Sequence, residues 1–154
     1  VDIALELEPN VSQAVANGAH VVYSMADVYG DFAITGLTTT PNVIENDTEL
    51  VADVTCALQQ SFDFIRSDRS RALDLLLERF TGIDRPIAAD AIDRVIEGGI
   101  LPETPVTPQE AWQKNLDLRV EVGDLQQPDQ PNRFLENRFA REASQQCSSG
   151  DLQP

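Results

Sequence analysis

Lysine is almost missing from this chain of 154 residues. Lys114 stands alone, and arginine supplies the other basic side chains, 11 in all against 26 acidic ones. The formal net charge of -15 repels phosphate backbones and anionic bilayers, which argues against nucleic acid and charged membrane surfaces as partners. Such an acid-rich, lysine-poor surface stays hydrated in concentrated salt. A salt-adapted source explains it, and so does a G+C-rich genome coding an ordinary acidic protein. Either way the chain repels itself, so higher ionic strength is expected to stabilise it.

Histidine is just as scarce. His20 is the only one and sits in an apolar stretch, where packing is its ordinary role. No cysteine-pair or helical histidine-pair spacing marks a metal site. Ser, Cys and His occur without the elbow or triad patterns of nucleophilic catalysis. No glycine-rich phosphate loop is present, since Gly98-Gly99 closes a helical pattern rather than opening one. No cofactor is expected. The two cysteines, Cys56 and Cys147, lie far apart. Cys56 falls inside a helical pattern as a small apolar residue and Cys147 in a polar tail, so no disulfide framework is expected. No apolar run is long enough to span a bilayer. A chain that begins inside an apolar stretch, without an initiator methionine or a signal peptide, reads as a mature or excised piece.

What is abundant is apolar patterning, with 42% hydrophobic residues, enough for a core. Leu50, Val54, Leu58, Phe62 and Ile65 recur at helical spacing behind a turn signal at Thr40-Pro41-Asn42 and capping residues at Asn46-Asp47. Glu49 and Arg66 suit the two ends of the helix dipole. Ser67-Asp68 restarts the chain into a second stripe, Ala72, Leu73, Leu76, Leu77 and Phe80, which Gly82 stops. A third helix runs from Pro86 through Ile87, Ala91, Ile92, Val95 and Ile96 to Gly98-Gly99. The proline-rich stretch 101–108 should run extended. Thr107-Pro108-Gln109-Glu110 reads as a capping box with proline at the first helical position. A fourth helix then passes through Ala111, Trp112, Leu116 and Val120. Residues 126–131 read as a linker, 133–143 as one more helical segment anchored by Phe134, Leu135 and Phe139, and 144–154 as a polar tail.

Three other segments carry the alternation or composition of strands. Ile3, Leu5 and Leu7 alternate with Asp2, Ala4, Glu6 and Glu8 before Pro9. A short helix over 10–17 and a second strand at 20–23 follow, suggesting an α/β unit. Residues 25–31 read as a loop. Residues 32–39 are β-prone, with Gly36 marking a bend or a close backbone approach. Glu6 and Glu8 share a face by two-residue spacing, a weak hint of acid/base work or of a site for an amine. Glu8-Pro9 also stands at a strand's carboxyl end, where open α/β sheets bind ligands. Tyr23, Tyr29, Phe32 and Trp112 are candidate stacking residues, with burial in a core as their ordinary role.

Taken in order, these segments resemble the carboxyl-terminal half of the periplasmic substrate-binding proteins of ABC importers, of the type serving sulfonates, taurine, nitrate and thiamine-pyrimidine precursors. The resemblance covers about residues 1–143. Val1-Asp2-Ile3-Ala4-Leu5-Glu6-Leu7-Glu8-Pro9 looks like the family's strand ending in Glu-Pro. Phe32-Ala33-Ile34-Thr35-Gly36-Leu37 looks like its strand crossing between lobes. Asn46-Asp47-Thr48-Glu49-Leu50-Val51 looks like its Asn-Pro-Glu-Leu-Val phrase without the proline. The helix at 111–120 and Asn137-Arg138-Phe139 are similar to its late helix and Arg-Phe ending.

The resemblance implies an α/β fold, the carboxyl-terminal portion of a two-lobed type II binding protein, with short strands and four to five helices. Residues 1–31 would be a remnant of the second lobe with its cleft-edge strand, and 32–143 the crossing strand and helical part of the first lobe. It implies non-catalytic capture of a small organic or anionic solute for a membrane permease, in the periplasm or outside the cell, membrane-associated through a permease or lipid anchor. Glu8, Pro9, Thr35 and Gly36 would touch the ligand. Ile3, Leu5 and Val22 would need a cover, and self-association through that sheet edge is expected. Two alternatives stand beside this reading. One is an enzyme like the fungal thiamine-pyrimidine synthases, whose cysteine-rich motif and histidine are not visible here. The other is a ligand-free acidic interaction module.

Overall fold

The computed structural model describes residues 2–126 and 131–147. Among them all regular structure is helical, with no strand. The helices are α1 (Asn10–Ala16), α2 (Met25–Tyr29), α3 (Pro41–Asn46), α4 (Thr48–Ser67), α5 (Arg69–Arg79), α6 (Arg85–Glu97), α7 (Gln109–Glu121) and α8 (Arg138–Gln146), with a 3-10 turn at Pro131–Phe134 before α8. The expected α/β fold is therefore wrong for this chain. Residues 2–6, 20–24 and 34–39 lie outside any helix, and no backbone ladder joins them. A strand exists only when a neighbour satisfies its N–H and C=O groups. None of the described residues offers such a neighbour.

Local signals account for most helix boundaries. Thr40 caps α3, accepting from the Val43 N–H with Pro41 in the first turn. Asp68 caps α5 by accepting from the Arg71 N–H at 3.0 Å. Gly99, at φ 65°, turns the chain out of α6 through a conformation that disfavours any Cβ. Helix α2 replaces the expected loop; Ser24 accepts from the Asp27 N–H across its first turn at 3.4 Å. The expected capping box before α7 does not form, because the Thr107 side chain makes no cap bond. Instead the Thr107 N–H donates to Asn137 Oδ1 at 3.0 Å and the Thr107 carbonyl accepts from Asn137 Nδ2 at 2.8 Å. Asn137 thus pairs with the backbone as a strand neighbour would.

The chain divides into two compact units, Val1–Val28 with Phe62–Pro102, and Tyr29–Ser61 with Glu103–Pro154. Helix α4 contributes residues 48–61 to the second and 62–67 to the first.

In the first unit, α1 and α5 each pack on α6. Ala88 and Ala91 of α6 are buried, as are Ala72 of α5 and Ser12 of α1. Small side chains at these points let helices approach closely. Two ion pairs tie α5 to α6, Arg69 to Asp93 at 2.6 Å and Arg85 to Asp74 at 2.7 Å. Both are half-exposed, so each contributes about 0.5 kcal/mol. Arg66 Nη2 donates to the carbonyls of Leu101 and Pro102, each at 2.6 Å. That clamp holds the chain leaving α6.

The second unit buries Ala111 and Leu116 of α7 with Phe139, Ala140 and Ala143 of α8. In α4 the apolar stripe read from the sequence is not the most buried face. Leu50 and Val54 are exposed, whereas Thr55 and Gln59 are buried. Their side-chain donors are satisfied: Thr55 Oγ1 donates to the Val51 carbonyl at 2.7 Å, and Gln59 Nε2 donates to the distant Glu103 carbonyl at 3.1 Å. Asn115 Nδ2 donates to the Ala33 carbonyl at 2.7 Å, and the Ala33 N–H donates to the Ala111 carbonyl at 3.3 Å. These bonds hold residue 33 on α7.

Cys56 of α4 and Cys147, just past α8, form a disulfide, with Cα atoms 5.4 Å apart. This corrects the expectation that the two cysteines do not pair. Residues 91 apart in sequence leave no local trace of being neighbours. The foot of the expected polar tail is helical and tethered, and residues 127–130 of the expected linker lie outside the described residues.

Candidate binding hollow at Glu8

Glu8 and Pro9 line a hollow of about 160 Å³ in the first unit, together with Ile65, Ala91, Ile92, Val95 and Leu101. Its origin is local. Pro9 has no side-chain oxygen to cap α1, so the preceding residue serves: Glu8 Oε2 accepts from the Ser12 N–H at 3.1 Å. An acid at a helix start also suits the positive end of the dipole. That bond draws the carboxylate in, leaving its side chain 13% exposed. Ala91, Ile92 and Val95 supply the α6 wall at helical spacing, and Ile65 comes from the end of α4. Leu101 is held by the Arg66 clamp on its carbonyl.

The electrostatics are one-sided. Glu8 Oε1 lies 3.8 Å from Arg94 Nε, within ion-pair range but beyond a hydrogen bond. One carboxylate oxygen is thus committed to Ser12 and the other keeps capacity to accept. Ser12 Oγ is buried and has no hydrogen-bond partner among the described residues. The lining of the hollow is almost wholly apolar, with the Glu8 carboxylate turned to Ser12 and Arg94, so it suits the hydrocarbon or ring body of a small solute. A cavity of about 150 Å³ accommodates a benzene-sized molecule, so the hollow fits one six-membered ring.

Thr35 and Gly36, the other two expected ligand contacts, belong to the second unit and are exposed. A Cβ placed on Gly36 would meet nothing within 4 Å, so no close backbone approach occurs there. Glu6 does not join Glu8; its Oε2 accepts from Asn10 Nδ2 at 3.2 Å on the surface. His20, Tyr23 and Tyr29 are exposed, and Phe32 and Trp112 are half-buried. The ring of Tyr29 meets that of Phe32 edge-on at 6.0 Å. Reading for chemistry passes over Arg94 and Leu101. Arg94 had a signal, its place beside the Ala91, Ile92 and Val95 stripe, while Leu101 had none.

A second, polar hollow of about 360 Å³ lies in the other unit between the start of α7 and the segment leading into α8, with Thr107, Gln109, Asn132, Asn137 and Arg141 among its lining. Among the described residues no group of three or more His, Cys, Asp or Glu side chains is placed to hold a metal ion, and no helix is long and apolar enough to cross a membrane. Comparison with protein-family models, curated proteins and solved structures finds no match to this chain.

Proposed function

We propose that this chain captures a small organic solute without transforming it and passes it to a membrane permease. The observation that carries the reading is the Glu8 hollow, a ring-sized apolar recess walled by Pro9, Ile65, Ile92, Val95 and Leu101. The ordered phrases that resemble those of importer-associated binding proteins support it. So does the Cys56–Cys147 disulfide, because such bonds persist in oxidising compartments such as the periplasm and the cell exterior. Size and the apolar lining together favour a single ring, such as a pyrimidine, over nitrate or a short sulfonate.

The test is a thermal-shift and calorimetric panel of aminopyrimidines, aromatic acids, sulfonates and nitrate on the intact chain. An aminopyrimidine should raise the melting temperature. Glu8→Gln loses the charge beside Arg94 and loosens the cap on α1 that walls the recess, so it should weaken that binding. Val95→Phe, at a half-buried position of the lining, should fill the recess and abolish binding. A panel in which no compound shifts the melting temperature overturns the reading. A ligand-free interaction module is the second reading, and the exposure of Ile3 and Leu5 favours it. It expects the panel to be silent and a macromolecule to bind instead.

A further inference from the structure

Ile3, Leu5, Leu7, Val21, Val22 and Tyr23, all in the first unit, are between 50% and 84% exposed. Side chains of this size present roughly 700–800 Å² together, close to what one partner contributes to a standard protein interface. In 3–6 and 20–24 no backbone hydrogen bond is made among the described residues, so the edge groups a pairing strand needs are open. One chain segment therefore offers an apolar row at positions 3, 5 and 7 and exposed acidic side chains at Asp2 and Glu6.

Charge selects the occupant. No lysine or arginine precedes Arg66 in the sequence, and neither Asp2 nor Glu6 is in an ion pair among the described residues. A second copy fits poorly. Antiparallel self-pairing about Ala4 sets Asp2 against Glu6, and parallel in-register pairing sets Asp2 on Asp2 and Glu6 on Glu6. Like charges directly opposite destabilise a strand pair, and two chains of -15 each repel before they meet.

We propose that residues 3–7 dock a basic, extended segment of another protein by strand addition, with alternate apolar side chains on the Ile3, Leu5 and Leu7 row and alternate lysines or arginines on the acidic row of Asp2 and Glu6. Main-chain bonds supply the affinity, and the two rows fix register. This surface is distinct from the recess at Glu8 and does not rest on solute capture.

The probes are two synthetic peptides of one composition, acetyl-Lys-Val-Lys-Val-Lys-Val-amide and acetyl-Lys-Lys-Lys-Val-Val-Val-amide, titrated into the full chain by fluorescence anisotropy. The alternating peptide should bind at least roughly tenfold tighter, because only it matches both rows. Its binding should weaken as salt rises from about 0.05 to about 0.5 M. Leu5→Asn, at an exposed position and with no change of charge, should cost about the same factor of ten. Hydrogen exchange should slow at the amides of 3–7 when the alternating peptide is bound. Equal affinity for the two peptides, indifference to Leu5→Asn, or unchanged exchange at 3–7 would overturn the proposal. So would a free chain that sediments as a dimer with those amides already protected, since a second copy would then be the occupant.

Discussion

Breaking the Cys56–Cys147 disulfide should cost the second unit more stability than any single core substitution. The bond closes a loop between residues 91 apart in sequence. In the chain-entropy account, cross-linking removes freedom from the unfolded ensemble in proportion to the logarithm of loop length, which for this span gives about 4–5 kcal/mol near room temperature. The Cα separation of 5.4 Å lies inside the normal range for bridged cysteines, so the folded state bridges them without backbone movement. The assay is urea unfolding of the oxidised protein against the Cys56→Ala, Cys147→Ala double variant, followed by the fluorescence of Trp112, the only tryptophan. Trp112 lies in α7 of the same unit as the bond, so its signal reports the unit in question. With a denaturant slope of about 1–2 kcal/mol per M, the midpoint should fall by roughly 2–5 M. Reduction of the wild type should reproduce the shift. Coincident midpoints for the oxidised protein and the variant, with mass spectrometry confirming the bond in the former, would refute the entropic reasoning and mean that α8 is held by its own packing alone.

Asn137→Ala removes both bonds to the Thr107 backbone, and a loss of about 1–3 kcal/mol in the same Trp112 unfolding curve is expected. Ala88→Leu adds a branched side chain where exposure is 0%, so overpacking between α6 and its neighbours should destabilise the first unit by about 1–3 kcal/mol, measured by circular dichroism on heating. Arg66→Ala should free the Leu101–Pro102 segment, loosening the wall of the Glu8 recess, and amide exchange should quicken around residue 101. The melting temperature of the whole chain should climb as salt is added, because 26 acidic side chains against 11 basic ones repel one another less when screened.

Helices α4, α5 and α6 were legible because everything that makes them lies within a few residues. The stripe Ala91, Ile92 and Val95, the cap at Asp68 and the turn at Gly99 are local, and so is each i to i-4 hydrogen bond. Nonlocal features did not share that legibility. Thr107 reads as a capping residue until Asn137, thirty positions away, occupies its backbone. The burial of Thr55 and Gln59 over Leu50 and Val54 depends on which face of α4 meets other segments, and periodicity alone does not choose between adjacent faces. The disulfide belongs to the same class.

The strand readings failed for a related reason, and that reason links the fold to the candidate surfaces. Alternation at Ile3, Leu5 and Leu7 records what a segment would do beside a neighbour; it does not supply the neighbour. A helix satisfies its own backbone and can be read alone, whereas a strand is half of a structure. The mismatch between a sequence patterned for pairing and a chain that leaves 3–6 unpaired is thus informative in itself, because burial of an apolar row is what such patterning serves. Glu8 sits at the junction of the two regimes. Its backbone ends the unpaired segment, and its side chain turns inward to cap α1 and wall the recess. A partner that straightened residues 3–7 would pull on the residue that fixes the carboxylate, so docking at the edge and binding in the recess should be thermodynamically coupled, each changing the other's affinity by the same factor.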